Sequence, residues 1–317
     1  MVDLVSCGAI NWDINIFVDR LPRVGEEVKV QEIQRVSGGT AANVSVAAAR
    51  ILGPGRVALI GALGCDDVAE KQIEALKREA VVVSGISKIP NEESGQAYII
   101  ISSNGENEIH TYFGANLRLS PESLQKPAKL ELMKSAKIAV IMDPPLATAK
   151  NFARICVKNG ATVIWDPGVY SELGWKALEP TLKYVDYLVL NHLEFEILIG
   201  VSDPVKILDF FTERNKGIKV IIKHGEKGCY MCDSVLGKSF HIGAVPLNQM
   251  GLEVVNTVGC GDAFIGSFAA AKIEGIDDIQ ALKRGCAAGS FKATKKETRG
   301  GPTANQLQEI MEKWEAL

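Results

Sequence analysis

Apolar residues along the chain follow two spacings, and the first of them dominates from about residue 130 onward. There, short apolar runs alternate with stretches that have the spacing of amphipathic helices. Such runs predict strands that are buried on both faces, and their alternation with helices predicts a parallel sheet with helices on both sides. We expect strands at 138–142, 162–165, 187–190 and 219–223, and helices at 146–159, 171–183, 193–199 and 205–215.

In the second spacing every other residue is apolar and the residues between are polar, and this pattern occurs only before residue 114. This alternation is typical of strands with one solvated face, so we expect these strands to lie outside the main sheet. Asn104-Gly105 stands between two of the runs and predicts a hairpin turn. We predict that segments 12–36 and 94–113 form a small four-stranded sheet that acts as a lid over a ligand cleft.

The remaining stretches fit one α/β domain over residues 1–317. Apolar strands are expected at 2–10 and 56–64, and a charged amphipathic helix at 66–79. A final amphipathic helix is expected at 303–317. Because no linker, repeat or low-complexity tract divides the sequence, the chain is expected to form a single domain with a mostly parallel central sheet.

Polar residues follow the predicted carboxyl ends of the strands. Parallel sheets bind ligands at this edge, so these residues are candidates for a site. They are Asp143, Asp166, Asn191, His224 and Gly225.

Residues 253–262 predict an anion site. We expect a short apolar strand at Val254 and Val255, followed by a glycine-containing turn that opens into a helix near Asp262. The first amides of a helix have no internal partner and carry the positive end of its dipole, and glycines let a phosphate approach them. Asp262 either caps this helix or takes the proton of an acceptor hydroxyl.

Composition narrows the partners to small molecules. The formal net charge is −3 and the sequence contains no basic block, which argues against nucleic acid and anionic membranes as partners. No apolar run approaches the length of about 18 residues that a membrane helix needs. Seven cysteines, an odd number, mostly within apolar runs, indicate reduced thiols. We expect a cytoplasmic protein.

Three stretches, in this order and spacing, resemble the signatures of the ribokinase (PfkB) carbohydrate kinase family. They are Gly38-Gly39-Thr-Ala-Ala-Asn43, Asn191-His-Leu-Glu194 and Asn256-Thr-Val-Gly-Cys-Gly-Asp262. The resemblance extends over nearly the whole chain. It implies a ribokinase-like three-layer α/β/α fold with a small β-sheet lid. It also implies a kinase that transfers a phosphoryl group from a purine nucleotide, with ATP as the first choice, to a primary hydroxyl of ribose or a related sugar.

The resemblance also implies the roles of individual residues. Asp262 would be the base, and the amides of Gly259, Cys260 and Gly261 would hold the charge that develops on the transferred group. Sugar hydroxyls would be bound by one set of residues: Asn11, Asp13, Gly38, Gly39, Asn43 and Asp143. Asn191 and Glu194 would bind Mg²⁺ through water. The nucleotide would be bound by Asn191, Lys223, Gly225 and Gly228. Read alone, Asn191 and Glu194 are an ordinary solvated helix start.

Several alternatives stay open within this resemblance. The usual acid at the head of the last motif is Asn256 here, a departure that leaves dependence on a monovalent cation undecided. A nucleoside kinase would need an apolar slot, for which Trp12, Phe17, Tyr112 and Phe113 are candidates. A ribose-phosphate kinase would need cations, for which Arg20, Arg23, Arg35 and Arg118 are candidates. ADP as donor, a non-catalytic binding protein on the same fold and a homodimer formed through the lid are also consistent with the sequence.

Overall fold

The computed structural model describes residues 2–104, 106–215 and 217–317, so Gly105 of the predicted hairpin turn lies outside the described residues. In these ranges the chain forms two sheets. The strands, in chain order, are β1 Leu4–Gly8, β2 Asn11–Val18, β3 Val30–Gly38, β4 Val57–Leu63, β5 Val82–Lys88, β6 Gly95–Ser102, β7 Asn107–Tyr112, β8 Ile138–Met142, β9 Thr162–Asp166, β10 Tyr187–Asn191, β11 Lys219–Lys223, β12 Cys229–Asp233 and β13 Lys238–Ile242.

The helices pack on both faces of the larger sheet, in two separate apolar cores. Successive strand residues enter opposite cores, as Val163 and Trp165 do on one side and Ile164 on the other. This alternation is why the strands are apolar throughout. The helices are α1 Thr40–Leu52, α2 Asp67–Arg78, α3 Pro127–Ser135, α4 Leu146–Lys158, α5 Trp175–Leu182, α6 His192–Ile199, α7 Pro204–Arg214, α8 Cys260–Ile273, α9 Asp278–Ala293 and α10 Ala304–Glu315.

The larger sheet has the strand order β13-β12-β11-β10-β9-β8-β1-β4-β5 among the described residues. Its seven strands from β11 to β5 run parallel, and β12 and β13 add an antiparallel edge. The predicted three-layer arrangement around a mostly parallel sheet is therefore confirmed. In the part of the chain that the structure describes, no helix combines the length and apolarity that crossing a membrane requires.

The smaller sheet has four strands, as the alternating pattern predicted, and their order is β3-β2-β6-β7. Its two faces differ. Asp13 and Asn15 of β2 point to the buried face, at 3% and 1% exposure. Trp12 lies on the opposite face, and the register of β2, β6 and β7 places Tyr112 on that same outer face.

Three local predictions were wrong or incomplete. The expected strand at Val254 and Val255 does not form: both side chains are more than half exposed, and the N–H of Val255 donates to the carbonyl of Ala293 at the end of α9. Two apolar residues without a strand partner cannot build a ladder. The expected helix at 171–183 begins instead at Trp175, after Gly174 adopts a positive φ. Strand β5 was not expected because its half-exposed residues lack a continuous apolar run.

Candidate active site

Four of the candidate residues meet at one edge of the larger sheet because their strands run parallel and in register. Met142 pairs with Asp166, so Asp143 follows directly beside Asp166. Asn191 pairs with Lys223 at the ends of the two neighbouring strands. The carboxyl edge of the sheet therefore collects two acids, an amide and an ammonium group, as expected for this type of sheet.

Helix α8 begins without a side-chain cap. Gly259 is the capping residue, at φ 85°, and makes no side-chain hydrogen bond to the helix. A Cβ at this position would overlap the carbonyl oxygen of Thr298, so only glycine fits. Within the described residues, the N–H groups of Gly261 and Asp262 have no hydrogen-bond acceptor. The N–H of Cys260 donates to the carbonyl of Thr257 at 3.2 Å. It is therefore not free, contrary to the expectation from the sequence.

Asp262 occupies the third position of α8 and reaches across to α1. Its Oδ2 accepts a hydrogen bond from Nδ2 of Asn43 at 2.8 Å. Burial raises the pKa of the Asp262 carboxyl to about 6, although the bond from Asn43 and the charge of Lys223 lower it. The carboxylate is thus fixed in direction and is a stronger proton acceptor than an exposed aspartate.

Lys223 stands next to this turn. Its Nζ lies 2.6 Å from Oδ2 of Asp166, and a Cβ at Gly261 would lie 3.2 Å from the same Nζ. Burial alone would lower the pKa of Lys223, but the carboxylates of Asp166 and Glu194 raise it above its usual value. The site therefore holds a permanently charged ammonium close to the uncapped helix.

Asp13 of β2 lies beside Gly38, the last residue of β3, just before α1 begins. A Cβ at Gly38 would overlap the carboxylate of Asp13, so the glycine makes room for this acid. Burial raises the pKa of Asp13 to about 7, while the nearby Arg299 lowers it and Asp262 raises it further. The predicted sugar-binding residues Asp13 and Gly38 therefore lie near Asp262.

Arg299 is a central residue that the sequence analysis missed. Its Nε donates to Oδ1 of Asn43 at 3.0 Å, and its Nη2 donates to the carbonyl of Gly38 at 2.7 Å. Arg299 thereby sets the direction of the amide that holds Asp262. It follows no predicted strand and belongs to none of the three motifs; its only sequence signal is the Gly300-Gly301 pair that comes after it.

Two lesser candidates have partners within the protein. Oδ1 of Asn11 accepts from Nδ2 of Asn116 at 2.9 Å. Asp143 has a positive φ of 56°, and its Oδ2 accepts from the hydroxyl of Thr40 at 2.8 Å. Oδ1 of Asp143 is buried without a hydrogen-bond partner among the described residues, and burial together with the charge of Asp166 raises its pKa to about 7.

Asn191 and Glu194 form a reciprocal cap at the start of α6. Oδ1 of Asn191 accepts from the N–H of Glu194 at 2.9 Å, and Oε2 of Glu194 accepts from the N–H of Asn191 at 2.7 Å. This is the ordinary helix start that the sequence also allowed. Burial and the charge of Asp166 raise the pKa of Glu194, although the charge of Lys223 lowers it.

A cavity of about 760 Å³ opens beside the start of α8. Its size suits a nucleotide. The predicted residues Lys223, Gly225 and Gly228 line one side, and Cys260 and Gly261 line another. Apolar residues form much of the rest: Ala244, Val245, Pro246, Leu247, Val254, Phe264 and Ala293.

The acidic edge fits a hydrated cation better than a fully coordinated one. No group of three or more His, Cys, Asp or Glu side chains in the described ranges is arranged to hold a metal ion. Burial and the charges of Asp166 and Glu194 raise the pKa of Asp143, so three carboxyl groups act on one another at this edge. Such a surplus of carboxylate suits Mg²⁺, which keeps several of its waters and needs few protein ligands.

Comparison with known proteins agrees with this geometry. The profile described as pfkB family carbohydrate kinase matches residues 1–305. The chain is 30% identical over 316 residues to the ribokinase of Haemophilus influenzae, with 98% of both chains covered. It is 28% identical over 307 residues to the ATP-dependent ribose-1-phosphate kinase of Halopiger xanaduensis, with 97% of both chains covered.

A solved structure supports the same assignment. The structure of Arabidopsis thaliana ribokinase complexed with ribose and ATP matches with a TM-score of 0.84 and 27% identity, and covers 98% of this chain and 99% of that chain. The ribokinase-like fold and the enzyme class expected from the motifs are both confirmed. The chain therefore belongs to the pfkB family of carbohydrate kinases.

Proposed function

We propose that this protein transfers a phosphoryl group from a purine nucleotide, with ATP as the preferred donor, to a primary hydroxyl group of ribose or a related sugar. The observation that carries the proposal is the position of Asp262. Its carboxylate is held by Asn43 at the uncapped start of α8, directly after Cys260 and Gly261, which line the large cavity, and its charge acts on the buried Asp13. The relatives named as ribokinases support the choice of substrate.

Asp262 is proposed to take the proton of the acceptor hydroxyl as that oxygen attacks the terminal phosphorus. A pKa of about 6 keeps the carboxylate ionised at neutral pH and still basic enough to accept the proton. The free N–H groups of Gly261 and Asp262 would stabilise negative charge on the transferred group. They act efficiently because they are in place before that charge develops.

The sugar is proposed to lie between Asp262 and the smaller sheet. Asp13 and Asn43 would bind its hydroxyl groups. Gly38 would support the pocket by leaving room for the Asp13 carboxylate, and Gly39 by letting the main chain of Asn11 come close. Asn11 and Asp143 would complete the wall of the pocket, with the unpartnered Oδ1 of Asp143 available to accept a hydrogen bond.

The nucleotide is proposed to occupy the large cavity beside Lys223, Gly225 and Gly228. The ammonium of Lys223 would attract its phosphates. Bound Mg²⁺ would neutralise phosphate charge, and Asn191 and Glu194 would contact the waters of that ion. Because one oxygen of Glu194 already caps α6, its other oxygen is the one proposed for this contact.

Segments 12–36 and 94–113 are proposed to act as the lid, and the positions of several candidate residues support a free sugar as substrate. Trp12 and Tyr112 lie on the face turned away from Asp13, so neither can line a slot for a nucleoside base; of the candidates on β2, Phe17 alone lies on the face of Asp13. Arg20 and Arg118 form ion pairs with Glu26 and Glu92 and are not spare cations for a second phosphate.

The outer face of this sheet supports a homodimer. Apolar side chains from three of its four strands share it, and an apolar patch of this kind marks an association surface. They include Ile33, Tyr98 and Tyr112, at 46%, 40% and 48% exposure. We therefore propose that two copies associate through their lids, and sedimentation of a monomer at micromolar concentration would contradict this.

A cytoplasmic location is also proposed, because cells keep purine nucleotide donors and reduced thiols in that compartment. All seven cysteines are free thiols in the structure.

A coupled assay tests the catalytic proposal directly. Ribose, fructose, nucleosides and ribose phosphates would be compared, each with ATP and with ADP. We expect the highest kcat/KM for ribose with ATP. Preference for a nucleoside or a ribose phosphate would change the substrate, and preference for ADP would change the donor. Nucleotide binding without transfer to any acceptor would show a non-catalytic binding protein and would refute the proposal.

A further inference from the structure

Lys292 is a buried cation that the proposed mechanism does not use. It lies near the end of α9 and has no exposed surface. Its Nζ donates to the carbonyl oxygen of Asn256 at 2.8 Å and reaches the carbonyl oxygen of Lys295 at 3.5 Å. Within the described residues it forms no ion pair with a carboxylate. A buried charge is costly unless it is compensated, so this lysine requires an explanation.

The ammonium has contacts of the kind that an alkali-metal ion makes, because both of the oxygens that it contacts, at 2.8 and 3.5 Å, are neutral main-chain carbonyls. The end of α9 adds to the compensation, since the last carbonyls of a helix carry the negative end of its dipole. A covalently attached charge stays in this position without any ion from solution.

Asn256, the main partner of Lys292, begins the turn that leads into α8. Its Oδ1 accepts from the N–H of Val258 at 3.0 Å, and its Nδ2 donates to the carbonyl of Lys296 at 2.9 Å. Its own N–H donates to the carbonyl of Ala293 at 3.1 Å. The ammonium therefore binds the residue that connects the free amides of α8 to the end of α9.

Lys292 also acts on the site through charge. It lowers the pKa of Asp262, and Asp262 in turn favours the charged form of the lysine against its burial. A positive charge behind the turn reinforces the helix dipole at the place where phosphoryl charge would develop.

We propose that Lys292 is a positioning residue that serves as a resident monovalent cation: its ammonium holds the 256–262 turn in shape and supplies fixed positive charge behind the amides of α8. The inference rests on the proposed phosphoryl transfer. It predicts that the wild-type enzyme turns over equally well in potassium chloride and in choline chloride of the same ionic strength, because the charge is already present.

The test is chemical rescue of Lys292→Ala. This variant lacks a propylammonium group, so propylammonium, potassium and ammonium salts are the probes, with choline as the bulky control. We expect kcat to fall about 10- to 100-fold with a smaller change in KM. Propylammonium or potassium should then restore kcat several-fold and raise the Tm of the variant, while the wild type responds to neither. Lys283→Ala on the same helix is the matched control and should behave as the wild type.

Three results would overturn the inference. The first is normal turnover of Lys292→Ala, and the second is a loss that no small cation restores. The third is recovery of Tm without recovery of kcat, which is the behaviour of a purely structural lysine. If Lys292→Ala does not fold, Lys292→Met replaces it, and a kcat equal to that of the wild type would again contradict the role. A wild type that is itself inactive would refute the proposed function instead.

Discussion

Helices α6 and α8 both carry an acid at their third position, but they use it in opposite ways. In α6, Glu194 folds back onto the N–H of the capping residue Asn191, and the two side chains close the end of the helix. In α8 the capping residue is Gly259, which has no side chain, and Asp262 turns to Asn43 on another helix. The whole carboxylate of an acid is available to another part of the protein only when its own helix does not use one of the oxygens as a cap, and in α8 the glycine at the capping position goes with such a free acid.

The difference between the two helices is tested most strongly by removing the free acid of α8. Asp262→Asn keeps the shape of the side chain but cannot accept a proton. We expect kcat to fall about 10²- to 10⁴-fold, which is the usual contribution of a general base. Nucleotide affinity, measured by titration calorimetry, should stay unchanged. Asp209→Asn, on the exposed face of α7, is the control. Near-normal turnover of Asp262→Asn would eliminate the proposed base.

A second test of this difference is to place a side chain at the uncapped end of α8. Gly259→Ala combines a positive φ with overlap on the carbonyl of Thr298, whereas Gly275→Ala at the far end of α8 has a similar φ of 77° in open space. Backbone strain alone costs about 1–3 kcal/mol, so Gly275→Ala should lose about that much unfolding free energy in urea. Gly259→Ala should lose more, and its kcat should fall as well. Equal losses without a change in kcat would show that the turn tolerates a Cβ.

The raised pKa of Asp262 predicts a smaller effect, which a pH profile of the activity would show. The base works only when it is ionised, and kcat/KM reports the ionisation of the free enzyme, so kcat/KM should fall about tenfold per pH unit below a pKa of about 6. The bond from Asn43 lowers this pKa, and Asn43→Ala should therefore move the acid limb of the profile to higher pH. A limb that stays in place in this variant would separate Asn43 from the ionisation of Asp262.

The smallest effects are expected at the closed helix end. Asn191→Ala removes a cap and should lower the unfolding free energy by about 1 kcal/mol. Glu194→Gln can still accept the N–H of Asn191, so its stability should hardly change. If Glu194 also contacts the waters of Mg²⁺, Glu194→Gln should need more Mg²⁺ for half-maximal kcat. A normal Mg²⁺ dependence would restrict Glu194 to its capping role.

Much of this arrangement could be predicted from the sequence, because it depends on local patterns. Apolar runs and alternating runs distinguished the two sheets, and strand ends pointed to Asp143, Asp166 and Asn191. The glycines on both sides of Cys260 pointed to the open helix end. These signals are local because burial and backbone freedom act residue by residue.

What could not be predicted depends on contacts between distant segments. Arg299 and Lys292 act through carbonyl and amide groups far away in the chain, and no spacing rule marks such partners. The reciprocal cap at Asn191 and Glu194 was one of two readings, and only coordinates reveal which atoms are engaged. The false strand at Val254 and Val255 came from apolarity alone, since these residues have no neighbouring strand to pair with.

The bonds from Arg299 to Asn43 and to the carbonyl of Gly38 also set an order of events during synthesis. The arginine follows Asn43 by 256 positions, so it is made long after its partner. A ribosome-bound chain that still lacks this guanidinium has no group to orient the amide at position 43. The enzyme should therefore acquire its activity only after Arg299 has been made, and truncated products that end before Arg299 should be inactive.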